Sequence, residues 1–182
     1  EITGLEEKII AIRRKQNDPL LNLIIHQINI QGVASPRRMT DTAFKRVKCV
    51  LQELKQLYGE IPLIAHKCQG DNLEMEGYWF NHNRGSNAFA GSPNFATLGL
   101  PYANKGAIED EYFALNGTLK GFEEYYESRN KEEILQSVGR QRVNRYPDQQ
   151  FHYFAIVPHG TDLSWLAQYG AKVIVQDAFE IT

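Results

Sequence analysis

Apolar positions along this chain recur with two different periods, and the change comes near residue 60. Before it the spacing is mainly helical. Leu5, Ile9, Ile10 and Ile12 form a stripe behind Thr3, with Glu6 placed as a capping-box partner. Asp18-Pro19 opens a second apolar stretch, Leu20 to Ile30, that reads two ways. Its Leu23-Ile24-Ile25 run also suits a buried strand. After a break at Gly32 to Pro36, Thr40 or Asp41 starts a clearer helix carrying Phe44, Val47, Leu51, Leu54 and Tyr58, and Gly59 ends it.

Beyond residue 60 short apolar runs alternate with amphipathic segments. The runs 62–65, 77–82, 95–100, 151–157 and 171–175 predict strands. Helices are expected over 106–115, around Leu119, Phe122, Tyr125 and Tyr126, and again around Ile134, Leu135 and Val138. A further short helix, capped by Thr161, holds Leu163, Leu166 and Tyr169 and stops at Gly170. This alternation predicts an α/β fold, a parallel sheet flanked by helices. Residues 1–59 are then a helical N-terminal segment, either a linker subdomain or a layer on that sheet, and residues 60–182 form the sheet domain.

Composition narrows the function classes. Charged residues make up 23% of the chain and hydrophobic ones 42%, a balance that supports an ordinary packed core. The formal net charge of -2 leaves no overall basic signature, so any contact with nucleic acid has to be a local patch. Arg13-Arg14-Lys15, Arg37-Arg38, and Lys45, Arg46 and Lys48 are such clusters, and equally suit solvent-facing helix charges. Cys49 and Cys68 are too few for a disulfide framework or a four-ligand zinc site, which points to a reducing cytoplasm. The histidines show no metal-ligand spacing, so no metal site is expected in this chain. No apolar run reaches membrane-spanning length and no signal peptide opens the chain. A start at Glu1 is expected of a fragment cut from a longer protein.

Two polar segments carry candidate chemistry. The first is Gln136-Ser137-Val138-Gly139-Arg140-Gln141-Arg142, followed by Arg145, at the end of a predicted helix and before a strand. Closely spaced guanidinium forks beside a glycine match phosphate oxygens, and they also suit a solvated basic helix end offsetting the macrodipole. The second is His82-Asn83-Arg84-Gly85-Ser86-Asn87, between two predicted strands. Gly85 allows close backbone approach to a phosphate or a nucleic-acid backbone, and the same composition makes a common turn. His66-Lys67 follows the first strand beyond residue 60 as a weaker candidate, with a plain strand-end turn as its other reading.

In order, Arg84-Gly85-Ser86-Asn87, a strand, Gly99-Leu100-Pro101 and Gln136-x-x-Gly139-Arg140 resemble motifs V and VI in the second, C-terminal RecA-like domain of superfamily 2 helicases. The resemblance covers roughly residues 60 to 158. It implies a RecA-like sheet and an ATP-dependent nucleic-acid helicase or translocase in which this lobe completes the nucleotide site. Arg140 would be the main arginine finger, with Arg142 beside it. Gln136 would contact the nucleotide or the facing domain, with Gly139 and Arg145 in the same nucleotide-facing group. Gly85 and Asn87 would couple that site to the nucleic-acid track, and His82, Arg84, Ser86 and Lys67 would grip single-stranded or duplex nucleic acid. The pattern departs from the family at Val143, where a final arginine is expected, so Arg142 or Arg145 must replace it. No Gly-x-x-x-x-Gly-Lys-Ser/Thr loop occurs. ATP and magnesium would therefore be bound mainly by an N-terminal RecA-like domain of the parent protein, and this chain alone is expected to hydrolyse none. The alternatives are a non-catalytic nucleic-acid or protein binding module of a replication or repair protein, and an unrelated α/β protein whose two polar segments lie at opposite edges of the sheet.

Overall fold

The computed structural model describes residues 20–33, 39–69, 73–80 and 88–178. Six strands form one sheet: β1 (Leu23–Ile30), β2 (Leu63–Ala65), β3 (Gly77–Tyr78), β4 (Asn94–Leu98), β5 (Phe151–Pro158) and β6 (Lys172–Asp177). Their order across the sheet is β3-β2-β4-β5-β1-β6, and every pair is parallel. The expected α/β architecture is present. Three helices, α1 (Asp41–Tyr58), α2 (Lys105–Asn116) and α3 (Phe122–Val138), account for most of the connections. No helix among the described residues is long and apolar enough to cross a membrane.

Both faces of the sheet are covered, which is why its strands read as continuous apolar runs. Side chains alternate between faces along each strand. Leu23, Ile25, Ile64, Phe95, Tyr153 and Ala155 point to the face that packs Ile134 and Val138 of α3 and Leu166. Ile28, Ile30, Leu63, Ala96, Leu98 and Phe154 point to the other, against Val47, Leu51 and Leu54 of α1. Thr40 caps α1, its hydroxyl accepting from Ala43 N at 3.2 Å, and Gly59 ends it with φ of 82°, as the sequence predicted.

Four expectations are corrected. Residues 1–59 are not a helical segment throughout. Leu23–Ile30 is an interior strand between β5 and β6, so β1 and α1 belong to the same sheet as the rest. The Leu23-Ile24-Ile25 run decided for strand because the sheet supplies two parallel partners. The boundary near residue 60 thus marks a change of texture and leaves the sheet undivided. The Thr3 cap and its stripe lie outside the described residues. Second, the two helices expected between 119 and 138 are one, α3, with no glycine or proline inside it to break it. The apolar stripe lapses over Glu127–Lys131 because this stretch is not packed on the sheet. It carries a Lys131–Glu127 ion pair at 3.8 Å, and Arg129 reaches across to Glu111 of α2 at 3.3 Å. Third, the strand expected over 77–82 stops at Tyr78, because β2, its neighbour among the described residues, ends at Ala65. Fourth, Thr161 does not cap a helix. Its hydroxyl donates to Pro158 O at 2.7 Å, and the following turn, Ser164–Tyr169, is a 3₁₀ helix.

Polar side chains buried at the sheet surface are paired with one another. The Tyr153 hydroxyl sits 2.8 Å from Thr97 Oγ1, and burial pushes its pKa up to about 12. On the α1 face His26 Nε2 lies 3.0 Å from His152 Nδ1, and both rings stack near Phe154 and Tyr58. Burial pulls the His26 pKa down to about 4, aided by the neighbouring His152 and Lys172, and burial lowers His152 too. A histidine with a folded-state pKa below its unfolded value of about 6.5 binds protons preferentially in the unfolded chain. The stability it contributes is complete above that value and is lost as pH falls toward about 4. The urea midpoint of His26→Leu is therefore expected to fall less between pH 7.5 and 4.5 than that of the unaltered chain. Equal losses would show that the pair stays neutral or gains nothing from burial.

Candidate functional site

Helix α3 runs down one face of the sheet and ends at the amino-terminal edge of β4 and β5. Val138 is fully buried and holds the end of the helix to the core. The chain then tightens into a 3₁₀ turn over Gly139–Gln141, reverses at Arg142 and enters a second turn over Val143–Arg145. Arg142 supplies the reversal, with φ of 52° and ψ of 42°. This left-handed conformation costs a non-glycine residue about 1 kcal/mol or more, so surrounding structure must impose it.

Two carboxamides do so. Gln141 is completely buried, and its Nε2 points at Ser92 O (2.9 Å), His152 O (3.2 Å) and Pro93 O (3.3 Å). These carbonyls lie immediately before β4 and at the start of β5. The Gln141 carbonyl in turn accepts from Gly91 N at 3.0 Å. On the other side Asn22, just before β1, points its Nδ2 at Gln149 O (2.7 Å), Tyr146 O (2.8 Å) and Val143 O (3.2 Å). The arginine-rich turn is thereby tied to the amino-terminal ends of three adjacent strands, β4, β5 and β1.

The tie also holds a residue close in sequence to the second polar segment. Gly91 follows the Arg84–Asn87 stretch by four residues, and it lies directly on the Gly139–Tyr146 turn. Its φ is 78°, and a Cβ there would stand 3.1 Å from the Tyr146 ring, so a side chain is excluded twice over. Phe89, two residues before Gly91, is buried in the core. His82, Arg84, Gly85, Ser86 and Asn87 lie outside the described residues. The chain on both sides of them is attached to α3 or its end: Phe80 N donates to Glu133 Oε1 at 3.3 Å, and Gly91 N to Gln141 O.

At the turn itself Arg140 and Arg142 are half-buried and engaged in contacts, and Arg145 is exposed. Gly139 follows the last residue of α3 and caps it, with φ of -71° and ψ of -6°, and a Cβ there would meet nothing within 4 Å. Local packing therefore does not require glycine at this position. Val143, at the position expected to hold a further arginine, is 1% exposed and part of the core. Arg142 before it is half-buried and engaged in contacts, and Arg145, two residues after it, is exposed.

Gln136 lies one turn before Arg140. It is exposed, and it lines a cavity of about 330 Å³ between α2, α3 and the residues that follow β3 and β4. Lys67 is not brought to the arginine turn. It is exposed at the carboxyl-terminal end of β2, so the length of the sheet, roughly 15–20 Å, separates it from Arg140. His66 beside it is half-buried at 2.8 Å from Leu100 O, which fits its reading as a strand-end turn, and burial lowers its pKa. Gln141, Asn22 and Glu133 carried no sequence signal of these roles. Apart from His152 O, which is 11 residues from Gln141, their partners stand between 48 and 127 residues away in the chain.

Replacing Gln141 with leucine keeps the volume and removes a donor shared by three carbonyls. Pro93 O keeps His152 N at 2.8 Å, and a carbonyl left buried without a partner costs about 1–3 kcal/mol, so a loss of roughly 1–3 kcal/mol in urea unfolding is expected. A change below about 0.5 kcal/mol would mean that water replaces the amide. Comparison with family models, with curated proteins and with solved structures finds no match to this chain.

Proposed function

We propose that this chain is the second RecA-like lobe of an ATP-dependent nucleic-acid helicase or translocase, supplying an arginine finger and strand-gripping residues to a site shared with a facing lobe. The observation that carries the reading is the Gly91–Gln141 junction. It attaches the Gln136–Arg142 segment to the chain that follows Arg84–Asn87, at one edge of an all-parallel sheet. Gly139 adds support. A glycine that its own packing does not need suits close approach by a group outside the chain.

Each residue then has a physical task. The guanidinium of Arg140 offers a planar fork to γ-phosphate oxygens and stabilises negative charge that grows on them as the phosphoryl group leaves. Arg142 or Arg145 takes the place of the arginine absent at Val143. Gln136 contacts the nucleotide or the facing lobe, and Gly85, Ser86 and Asn87 hold the nucleic-acid backbone. Lys67, on the far edge, has no part in the nucleotide site. ATP phosphates and magnesium would be held by the facing N-terminal RecA-like domain, because this chain has no phosphate-binding loop.

The burial of Val143 favours a second reading, in which the lobe has lost catalysis and serves as a nucleic-acid or protein binding module in replication or repair. One measurement separates the two. With the chain joined to a lobe bearing a phosphate loop, Arg140→Ala is expected to lower nucleic-acid-stimulated kcat for ATP by about 10³-fold or more, with nucleic-acid affinity kept. Arg140→Lys should restore little, since an ammonium is not a fork. Equal ATPase rates with and without Arg140 would overturn the motor reading and leave the binding module.

A further inference from the structure

The motif resemblance assigns no role to the cavity beside α3, yet its lining is specific. At about 330 Å³ it falls within the size range of small-ligand sites, about 300–1,000 Å³. Two aromatic side chains border it with unusual exposure, Phe80 at 37% and Tyr102 at 44%. Between them lie Arg129, Asn130, Glu133 and Gln136 of α3.

Phe80 is the more informative of the two. Its φ is 68°, in the left-handed region where a bulky side chain is disfavoured. Its N–H is held by the carboxylate of Glu133, a residue only 3% exposed. The fold thus keeps an aromatic ring in a strained position where glycine would rest without cost, and the ring gains little burial in return. Strain of this kind persists where the side chain is needed for something other than packing.

The polar lining restricts what can enter. Arg129 is already committed, to Glu111 at 3.3 Å and to the ring of Tyr125, whose centroid lies 5.8 Å away. The carboxylates of Glu132 and Glu133 dominate the remaining charge and oppose a phosphate. Asn130 Oδ1 is an acceptor buried from water with no hydrogen-bond partner among the described residues. The cavity therefore suits a flat, uncharged group with N–H donors on its edge, and repels an anion. Gln136 joins this cavity to the arginine turn, one helical turn before Arg140.

We propose that this cavity receives a single unpaired nucleobase of a bound strand, stacked on Phe80 and Tyr102, with its N–H edge turned toward Asn130. The proposal rests on the nucleic-acid-binding part of the preceding reading and adds to it. The strand would be held by a base as well as by its backbone, and the held base would report to Arg140 through Gln136. Stacking on aromatic rings tolerates any base, because every base has a π-face.

The test compares two fluorescently labelled 12-nucleotide strands of equal phosphate number, one natural and one fully abasic, titrated with the full chain at fixed salt. The variants are Phe80→Gly, which also relieves the backbone, and Tyr102→Ala. Circular dichroism and thermal midpoints establish that each is folded. Each variant is expected to weaken the natural strand about ten-fold and to leave the abasic strand unchanged. A variant that weakens neither strand, or both equally, overturns the base pocket while the nucleic-acid reading stands. A full chain that binds neither strand overturns both. Free nucleosides separate the remaining sources: saturation by a nucleoside alone at micromolar concentration would assign the cavity to a soluble ligand and overturn its role in strand capture.

Discussion

The carboxamide of Gln141 is the contact on which the arrangement of this molecule turns. A buried amide cannot exchange its partners for water, so its geometry is set by whatever carbonyls reach it. Here those carbonyls belong to the entries of two neighbouring strands, β4 and β5. A helix end, a loop return and two strand starts thus share one hydrogen-bonding centre. Arg142 is held in a left-handed conformation because the chain must turn away directly after an anchored residue. Asn22 repeats the device one strand further on, so β1 is tied to the same turn.

This anchoring explains how flexible arginines can occupy a defined place. A guanidinium on a free helix end samples many rotamers, and ordering it costs about 1.5–2 kcal/mol. Fixing the backbone on both sides removes the freedom of the turn itself and leaves only that of the side chains to be ordered. On the proposed reading such donors would serve phosphoryl transfer, in which a protein contributes position and charge more than covalent chemistry. The same logic extends along α3. Glu133 fixes Phe80, Gln136 stands in the cavity, and Arg140 lies at the turn, so one face of one helix links three features that meet solvent. A rigid helix can carry a displacement between such points, because packed elements move as units.

The pair of buried His26 and half-buried His152 illustrates a different constraint. His26 and His152 meet diagonally on adjacent strands, His152 in register with Ile24 and His26 with Phe154, and neither can take up a proton without bringing charge into an aromatic cluster. They are sheet residues in chemistry as well as position. Five histidines in 182 residues invite a search for a ligand set, and the described ones are instead spent on packing, on a strand-end turn at His66 and on exposure at His159.

Local sequence decided those features that need only neighbours. Thr40 and Gly59 bounded α1 because a cap and a left-handed stop are satisfied within one turn. The apolar runs announced a parallel sheet, because strands buried on both faces have no polar side. The arginine cluster was legible as residue types in a fixed order. Tertiary structure decided the remainder, for reasons of distance. Leu23–Ile30 became a strand only because β5 and β6 offer it two parallel partners more than a hundred residues away. The strand expected through residue 82 stopped where its neighbour ran out. Val143 was turned inward and Lys67 placed on the opposite edge by packing that no local pattern encodes. A hydrogen bond between Gly91 and Gln141 joins segments fifty residues apart, and only the folded sheet brings their strands side by side.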